Sequence, residues 1–391
     1  MTEKRRPSEP AERSVAIDLS RRKLRTAQTT AATADEIVRA SLVEVRRGAA
    51  PYVTMTRIAL AQLARSRLAR LGGLVLAAFV LVATLADVLA SDLPIVCRWH
   101  GTVYILPAVT RPAALEGVDC SQMRRQPLAG DWKIEPLVAF GPQQANPASA
   151  LLPPLAQGHP FGTDALGRDV FSRTVHGART ALGLGMGAAG VLVLIGVLLG
   201  ALAGFMGGAL DTLLTRAIES FTAIPTLVLV LIVGALVPHP TTAILLWTIA
   251  LTRWTDLARM VRAEVLLALG ADYVTAARAL GATPSRILRR HVLPNAIGPA
   301  IVAAAFGIAS VVLIEAAVDF LHVGPADATA SWGEALGQAR GHPDAWWLIV
   351  FPGTALLAML IALNLVGEAA RDALDPKLRG AGEELTEAMR S

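Results

Sequence analysis

Six stretches of roughly twenty mostly apolar residues dominate this 391-residue chain, at 71–90, 181–206, 217–237, 241–260, 297–320 and 346–365. A helix of about 20 such residues crosses the hydrocarbon core of a bilayer while satisfying every backbone N–H and C=O within itself. The pattern therefore predicts an all-α polytopic membrane protein with six transmembrane helices. With 53% hydrophobic and only 17% charged residues, the chain is too apolar for a soluble protein of this length. The fourth stretch contains Arg253 and Asp256, so its inner end should leave the hydrocarbon early.

Charge sets the orientation. Residues 1–70 carry fifteen Lys/Arg and residues 253–291 carry seven, whereas 321–345 carry only Arg340. The positive-inside rule then places the N-terminus and the 273–295 loop in the cytoplasm, and six spans return the C-terminal residues 371–391 to the same side. The 91–180 segment holds eight Lys/Arg, but long translocated segments weigh little in that rule. The net charge of +5 and pI of about 9.7 are thus a topology signal, with no basic patch interleaved with aromatics to suggest nucleic acid. Residues 1–50, polar and without a long apolar period, read as a disordered cytoplasmic tail. No apolar run with a cleavage site lies near the start, so the first span, 71–90, is its own insertion signal.

The most informative segment is the polar insert 273–295, YVTAARALGATPSRILRRHVLPN. At 100° per residue Tyr273, Ala276, Ala277 and Leu280 share a helical face, while Thr275 and Arg278 point away. Gly281 is a helix stop, and Thr283-Pro284 reads as an N-cap followed by proline at the first helical position. A second short helix carries Ile287, Leu288, His291 and Val292 on one side and Arg286, Arg289 and Arg290 on the other, and Pro294 ends it. Two short helices joined by a glycine turn beside the bilayer suit a docking surface better than an active site.

These residues resemble the cytoplasmic loop of import permeases of the ATP-binding cassette (ABC) type: Glu-Ala-Ala, three residues, Gly, nine residues, Ile-x-Leu-Pro. Thr275-Ala276-Ala277, Gly281 and His291-Val292-Leu293-Pro294 follow that spacing, with Thr275 replacing the Glu and His291 the Ile. The ending from His291 to Asn295 is that of the dipeptide/oligopeptide/nickel branch. The resemblance implies the fold of an ABC type I importer permease, with an interfacial elbow helix at 51–70, a transmembrane core at 181–370 and coupling helices in the 263–295 loop. It assigns coupling to the ATPase to Thr275, Ala276, Ala277, Gly281, Pro284, Ile287, His291, Leu293 and Pro294.

A second match precedes the second span. His159-Pro160-Phe161-Gly162-Thr163-Asp164, then Gly167-Arg168-Asp169, then Ser172-Arg173 resembles a segment of oligopeptide-type permeases, where composition alone would give a solvated charged loop. Local Asp–Arg pairing would hold an interfacial helix at the outer mouth. Upstream, residues 91–160 form an enlarged extracytoplasmic insert rich in Pro, Gly and Gln. On that side Cys97 and Cys120 are expected to form a disulfide. Free thiols and a metal site with His100 are the alternatives, the latter short of ligands for common zinc frameworks.

Within the spans, Gly196, Gly200, Gly204 and Gly208 form a ridge for close helix approach. Gly185-x-Gly187-x-x-Gly190 formally matches a dinucleotide fingerprint but follows no strand. Ionisable residues in spans are functional candidates. Arg216-x-x-Glu219 ahead of Pro225, and Glu315 in the fifth span, resemble the family pattern. Asp319 and His322 replace small or uncharged residues of the family's Glu-Ala-Ser-Leu-Ser-Phe-Leu-Gly stretch. Glu219, Glu315, Asp319 and His322 are candidates for the translocation path, with a water-wetted helix end as the other reading of Asp319 and His322. The likeness resumes at Ser331-Trp332-Gly333-Glu334, at Phe351-Pro352-Gly353 and from Asn364 to Pro376, and covers residues 57–380.

No Gly-x-x-x-x-Gly-Lys-Ser/Thr, His-Glu-x-x-His or Gly-x-Ser-x-Gly motif occurs, and the chain has no Gly-Lys pair. The expectation is a permease subunit with no catalytic residues, cofactor or metal of its own. By resemblance, ATP and Mg belong to two partner ABC ATPase subunits, a homologous second permease completes a heterodimer, and an extracytoplasmic substrate-binding protein delivers di- or oligopeptides at the cytoplasmic membrane. Nickel or another solute is the alternative within the family. A self-contained secondary transporter would show inverted repeats, and an intramembrane enzyme a dyad within the spans; neither is evident in the sequence.

Overall fold

The computed structural model describes residues 66–125, 130–238, 240–324 and 330–374. The expected tail 1–50, residues 51–65 of the elbow segment and the residues after 374 lie outside this range. Helix α1 (Arg67–Thr84) opens on Ser66, whose hydroxyl accepts from Ala69 N. A short turn, Ala86–Leu89, then leads out of the helical body.

The insert following this turn is a small lobe of mixed structure, an exception to the all-α expectation. Strand β1 (Val96–Trp99) lies between β2 (Thr102–Ile105) and β3 (Trp132–Ile134) in an antiparallel sheet, with Val96 opposite both Ile105 and Ile134. The signal was present in the sequence: β1 and β2 are joined by His100-Gly101, both at positive φ (47° and 84°) as a type I′ hairpin turn requires. Helix α2 (Cys120–Arg125) closes the lobe over Leu93, Cys97, Ala108, Leu115 and Met123. Cys97 and Cys120 are buried free thiols, so the expected disulfide is not made. Each acts as a small apolar side chain, and burial pushes the Cys97 thiol up and the Cys120 thiol to about 12. Among the described residues no cluster of ligands could hold a metal ion.

Helix α3 (Val170–Met206) follows, 37 residues and so about 55 Å long, well beyond the thickness of a bilayer core. It is followed by α4 (Gly208–Thr222) and α5 (Thr226–Leu236), which meet at a bend of 73°. Pro225 stands at that break. The single third span expected at 217–237 is thus a broken pair, because proline supplies no N–H to bond the preceding turn. Helix α6 (Thr242–Leu269) is capped by Thr241 and runs nine residues past the expected end of the fourth span. Then come α7 (Asp272–Ala279), α8 (Pro284–Ile287), α9 (Leu293–Phe320), α10 (Trp332–Ala339) and α11 (Trp347–Leu374).

Among the described residues four helical stretches are long and apolar enough to cross a membrane: α1, α3, Pro284–Phe320 and α11. The bent α4–α5 pair makes a fifth if counted as one span. Helix α6 is long enough, but Arg253, Asp256, Arg259, Arg262 and Glu264 make it too polar to join them. The principal core lies where α3, α6 and α9 meet, around Ala188, Ile249, Ala258, Val261 and Val311. Here the glycine ridge is used as expected. A Cβ on Gly196 would stand 2.9 Å from Leu257 Cβ and one on Gly204 2.9 Å from the Arg262 carbonyl, while one on Gly200 would collide with the Ala258 carbonyl. Gly208 falls outside the ridge, at the α3–α4 turn with φ of 61°. Gly185, Gly187 and Gly190 all lie inside α3, in no nucleotide-binding context.

Candidate functional site

The 273–295 loop folds as two short helices around a glycine. Helix α7 ends at Gly281, whose φ of 80° belongs to the left-handed region. Gly281 N bonds the Arg278 carbonyl at 2.9 Å and Ala282 N the Ala277 carbonyl at 3.0 Å, the paired bonds of a Schellman stop. Pro284 opens α8 as expected, although the Thr283 hydroxyl faces Ser285 and does not cap the helix. Thr275, Ala276, Gly281 and Pro284 are exposed, Ala277 is half-buried, and Leu280 at the tip is 88% exposed.

The second helix differs from expectation in two respects. Ile287 and Val292 are 2% and 0% exposed and belong to the α3–α6–α9 core with Val274, so they anchor the loop instead of facing outward. Arg286, Arg289 and Arg290 point to solvent. Pro294 does not end a helix. The chain passes from α8 through one π-helical turn, Leu288–Val292, straight into α9, with Leu293 N bonded to the Leu288 carbonyl. A proline just inside α9 provides no N–H and crowds the carbonyl four residues back, and a widened turn accommodates both. His291, Leu293 and Pro294 are half-buried along this join. Asn295 Nδ2 donates to the Tyr273 hydroxyl (3.0 Å) and to the His291 carbonyl (2.7 Å), tying α7 to the root of α9.

At the opposite end of the long helices, the two distant motifs at 159–173 and 331–334 meet. Glu334 of α10 pairs with both Arg168 and Arg173 at 2.5 Å. Asp164, fully buried, accepts from Arg168 Nε (2.7 Å) and from the backbone N–H groups of Leu166 and Arg168. Trp332 Nε1 donates to the Thr174 carbonyl and Trp347 Nε1 to the Thr163 carbonyl, each at 2.9 Å. Phe161 stacks on Phe351. Burial works against ionisation of Glu334, but Arg173 and Arg168 outweigh it and hold the carboxyl below the usual glutamate range. The Asp–Arg pairing expected within one segment is therefore part of a brace across 160 residues of chain. Nothing in the spacing of either motif announces the other.

The remaining intramembrane candidates separate. Glu315 and Asp319, one turn apart on α9, are 3% and 5% exposed. Asp319 Oδ1 has no hydrogen-bond partner among the described residues. His322 is exposed at the end of α9, with φ of 59°, and its ring nitrogen lies 3.4 Å from Arg340. Glu219 stands apart, exposed on α4 and paired with Arg216 at 2.9 Å. Two further ion pairs have no signature in the sequence: Arg262 of α6 grips Asp211 of α4 through both carboxylate oxygens, and Asp87 joins Arg179 (2.8 Å) and His176 (3.4 Å). Burial resists the charge on Asp87, yet the His176 and Arg179 contacts hold its carboxyl at about 2.

Residues 196–380 match the family described as the binding-protein-dependent transport system inner membrane component. The chain is 40% identical over 223 residues to the di/tripeptide transport system permease protein DppC of Pseudomonas aeruginosa (strain UCBPP-PA14), covering 56% of this chain and 73% of that protein. It is 36% identical over 230 residues to the oligopeptide transport system permease protein OppC of Bacillus subtilis (strain 168), covering 58% and 74%. The MetNI methionine ABC transporter in an inward-facing conformation aligns with a TM-score of 0.43 at 20% identity, over 51% of this chain and 94% of that one. The chain belongs to the binding-protein-dependent transport system inner membrane components, the membrane permease subunits of ABC importers, which work with an ATPase and a substrate-binding protein.

Proposed function

We propose that this chain is one permease of a heterodimeric, ATP-driven importer that carries di- or oligopeptides across the cytoplasmic membrane by alternating access. The peptide class is supported by the relatives, whose names specify di/tripeptide and oligopeptide transport. A homologous second permease completes the pathway, two ATPases bind ATP and Mg, and both termini lie in the cytoplasm. The observation that carries the mechanism is the continuity of α8, the π turn and α9. The exposed α7–Gly281–α8 surface is the docking point for an ATPase, with Thr275, Ala276 and Leu280 outward and Ile287 and Val292 locked into the core. A displacement applied there moves the root of α9 directly, without an intervening flexible loop. Such a rigid lever suits two discrete arrangements of the spans, selected by ATP closure.

Leu280→Glu places a charge at the exposed tip and disturbs no internal contact. In proteoliposomes containing the assembled transporter, it should reduce ATP-dependent uptake of a labelled dipeptide at least about tenfold, the cost expected of a misplaced charge in a docking interface. Membrane insertion should remain normal. Wild-type uptake by this variant would remove the loop from the coupling pathway.

A further inference from the structure

We propose that the lobe lays the bare face of its sheet against the phospholipid headgroups beside the C-terminal end of α1, so that the insert is a second membrane anchor for this chain. An antiparallel sheet covered on one face normally turns polar residues outward on the other. Helix α2 and its neighbours cover the face that carries Cys97, Tyr104 and Lys133. The other face presents Val96 and Arg98 of β1, Val103 and Ile105 of β2, and Trp132 and Ile134 of β3. All but Arg98 are apolar, and Val103, Ile105, Trp132 and Ile134 are 46–67% exposed. An exposed patch of this kind marks a contact with a protein or with a membrane.

The attachment of the lobe selects the membrane. Helix α1 is long and apolar enough to cross a bilayer, and Leu81 and the C-cap Leu85 at its end are exposed. The lobe is fastened just beyond that end, where Val138 N bonds the Leu89 carbonyl (3.0 Å) and Ser91 N the Val138 carbonyl (3.1 Å). From Ile134 to Val138 the chain can reach at most about 14 Å, which keeps the sheet close to the end of the span. Between Trp132 and Val138 the exposed residues are Trp132, Ile134 and Leu137, all apolar. The one acidic side chain there, Glu135, turns to Lys133 and Arg124. Apolar exposure therefore runs from the spanning helix to the sheet.

The two cross-strand rows of this face are also ordered as a bilayer surface is. The row nearer the junction along β3 is Ile105, Val96 and Ile134, wholly aliphatic. The next row is Val103, Arg98 and Trp132, which adds the indole and the cation. Rows two residues apart are separated by about 7 Å, close to the thickness of one headgroup layer. Tryptophan concentrates at that level, and an arginine among apolar neighbours extends its guanidinium to phosphate. Arg98 is exposed and makes no ion pair with any described residue, so its charge is available to an anionic headgroup. Beyond it the chain turns at His100-Gly101, past both rows. A protein partner would call for neither the order of the rows nor their tether to a span.

The test uses the complete transporter in lipid nanodiscs, with an NBD fluorophore attached through Ile134→Cys, Val103→Cys or Ser121→Cys. Ser121 is exposed on α2, on the covered side of the sheet, and the wild type, whose own thiols are buried, serves as the blank. Phospholipid spin-labelled at the top of the acyl chain should quench most of the Ile134 emission, and phospholipid labelled on the headgroup most of the Val103 emission. The Ser121 probe should lose little to either and be bleached rapidly by aqueous dithionite. Equal bleaching of all three probes overturns the inference. Protection of Ile134 and Val103 from both dithionite and the lipid labels overturns it too, because a protein would then cover the face. Headgroup quenching at Val103 should favour phosphatidylglycerol over phosphatidylcholine, and Arg98→Gln should lower that preference about fivefold, the share of one basic residue near a charged surface. An unchanged preference in Arg98→Gln overturns the contact between Arg98 and phosphate.

Discussion

His322 shows how one residue can carry the imprint of a backbone rule. It follows the last turn of α9, where His322 N bonds the Asp319 carbonyl (2.9 Å) and Val323 N the Val318 carbonyl (3.2 Å), the same paired stop found at Gly281. The family stretch that this segment resembles has glycine at this point, and glycine enters the left-handed region without penalty. Histidine does not, and holds φ of 59° at a cost of about 1 kcal/mol. His322→Gly should therefore raise the thermal midpoint of the detergent-purified protein, which a melting curve followed by tryptophan fluorescence would read. If uptake is retained, His322 is a strained helix end; if uptake falls while stability rises, the imidazole belongs to the pathway. Either outcome separates two readings that sequence left open. Cys97 and Cys120 teach the opposite lesson. Their extracytoplasmic placement suggested a bridge, but the hairpin and α2 bury each thiol among apolar neighbours. Compartment alone does not bring two sulfurs together.

At the scale of elements, legibility tracks the range of the interaction. Gly281, Pro284 and the exposed arginines of α8 and the π turn were readable because turn chemistry and helical period are local. The break between α4 and α5 was not, since apolar residues continue on both sides of Pro225 and conceal it from a hydropathy window. Helix α6 misled in the other direction. Its second half is polar, with Arg262 reaching Asp211 of α4, yet the helix runs on to Leu269 and packs against α3 at Leu257, Ala258 and Val265. The glycine ridge sits between these cases: its four-residue interval was plain, but its partner was not. That partner is now α6, and the closest approach is at Gly200, where an added methyl would meet the Ala258 carbonyl. Backbone cannot yield as a side chain can, so Gly200→Ala should cost about 1–3 kcal/mol. The same change at Gly183 or Gly190, with open space around the added methyl, should be close to neutral. Equal melting points for Gly200→Ala and Gly190→Ala would refute the close α3–α6 packing.

Taken whole, the molecule has a rigid attachment at each end of its long helices: α8 and the π turn at the root of α9, and the Asp164–Arg168–Arg173–Glu334 brace between the start of α3 and α10. Helix α10 packs on α9, so the brace lies in series with the lever that the ATPase would move. Arg173 is 3% exposed, and its charge is tolerated there because Glu334 and Asp164 face it. Removing the Glu334 charge leaves that guanidinium with Asp164 alone, and because the Glu334 side chain is 31% exposed the cost should fall below the about 3–5 kcal/mol typical of a fully buried pair. Glu334→Gln should accordingly lower the melting point of the purified protein. Glu334→Asp, which keeps the charge on a shorter arm, should restore part of it. Acid should mimic the neutral variant. Because the folded-state pKa of Glu334 is depressed, its contribution is complete above the unfolded glutamate value of about 4.3 and is lost as pH falls through the lower folded value. The gap in melting point between wild type and Glu334→Gln should then be constant near neutrality and close below about pH 4. A gap that persists undiminished in acid would mean that the side chain acts through packing, and that the α3–α10 junction is not held by charge.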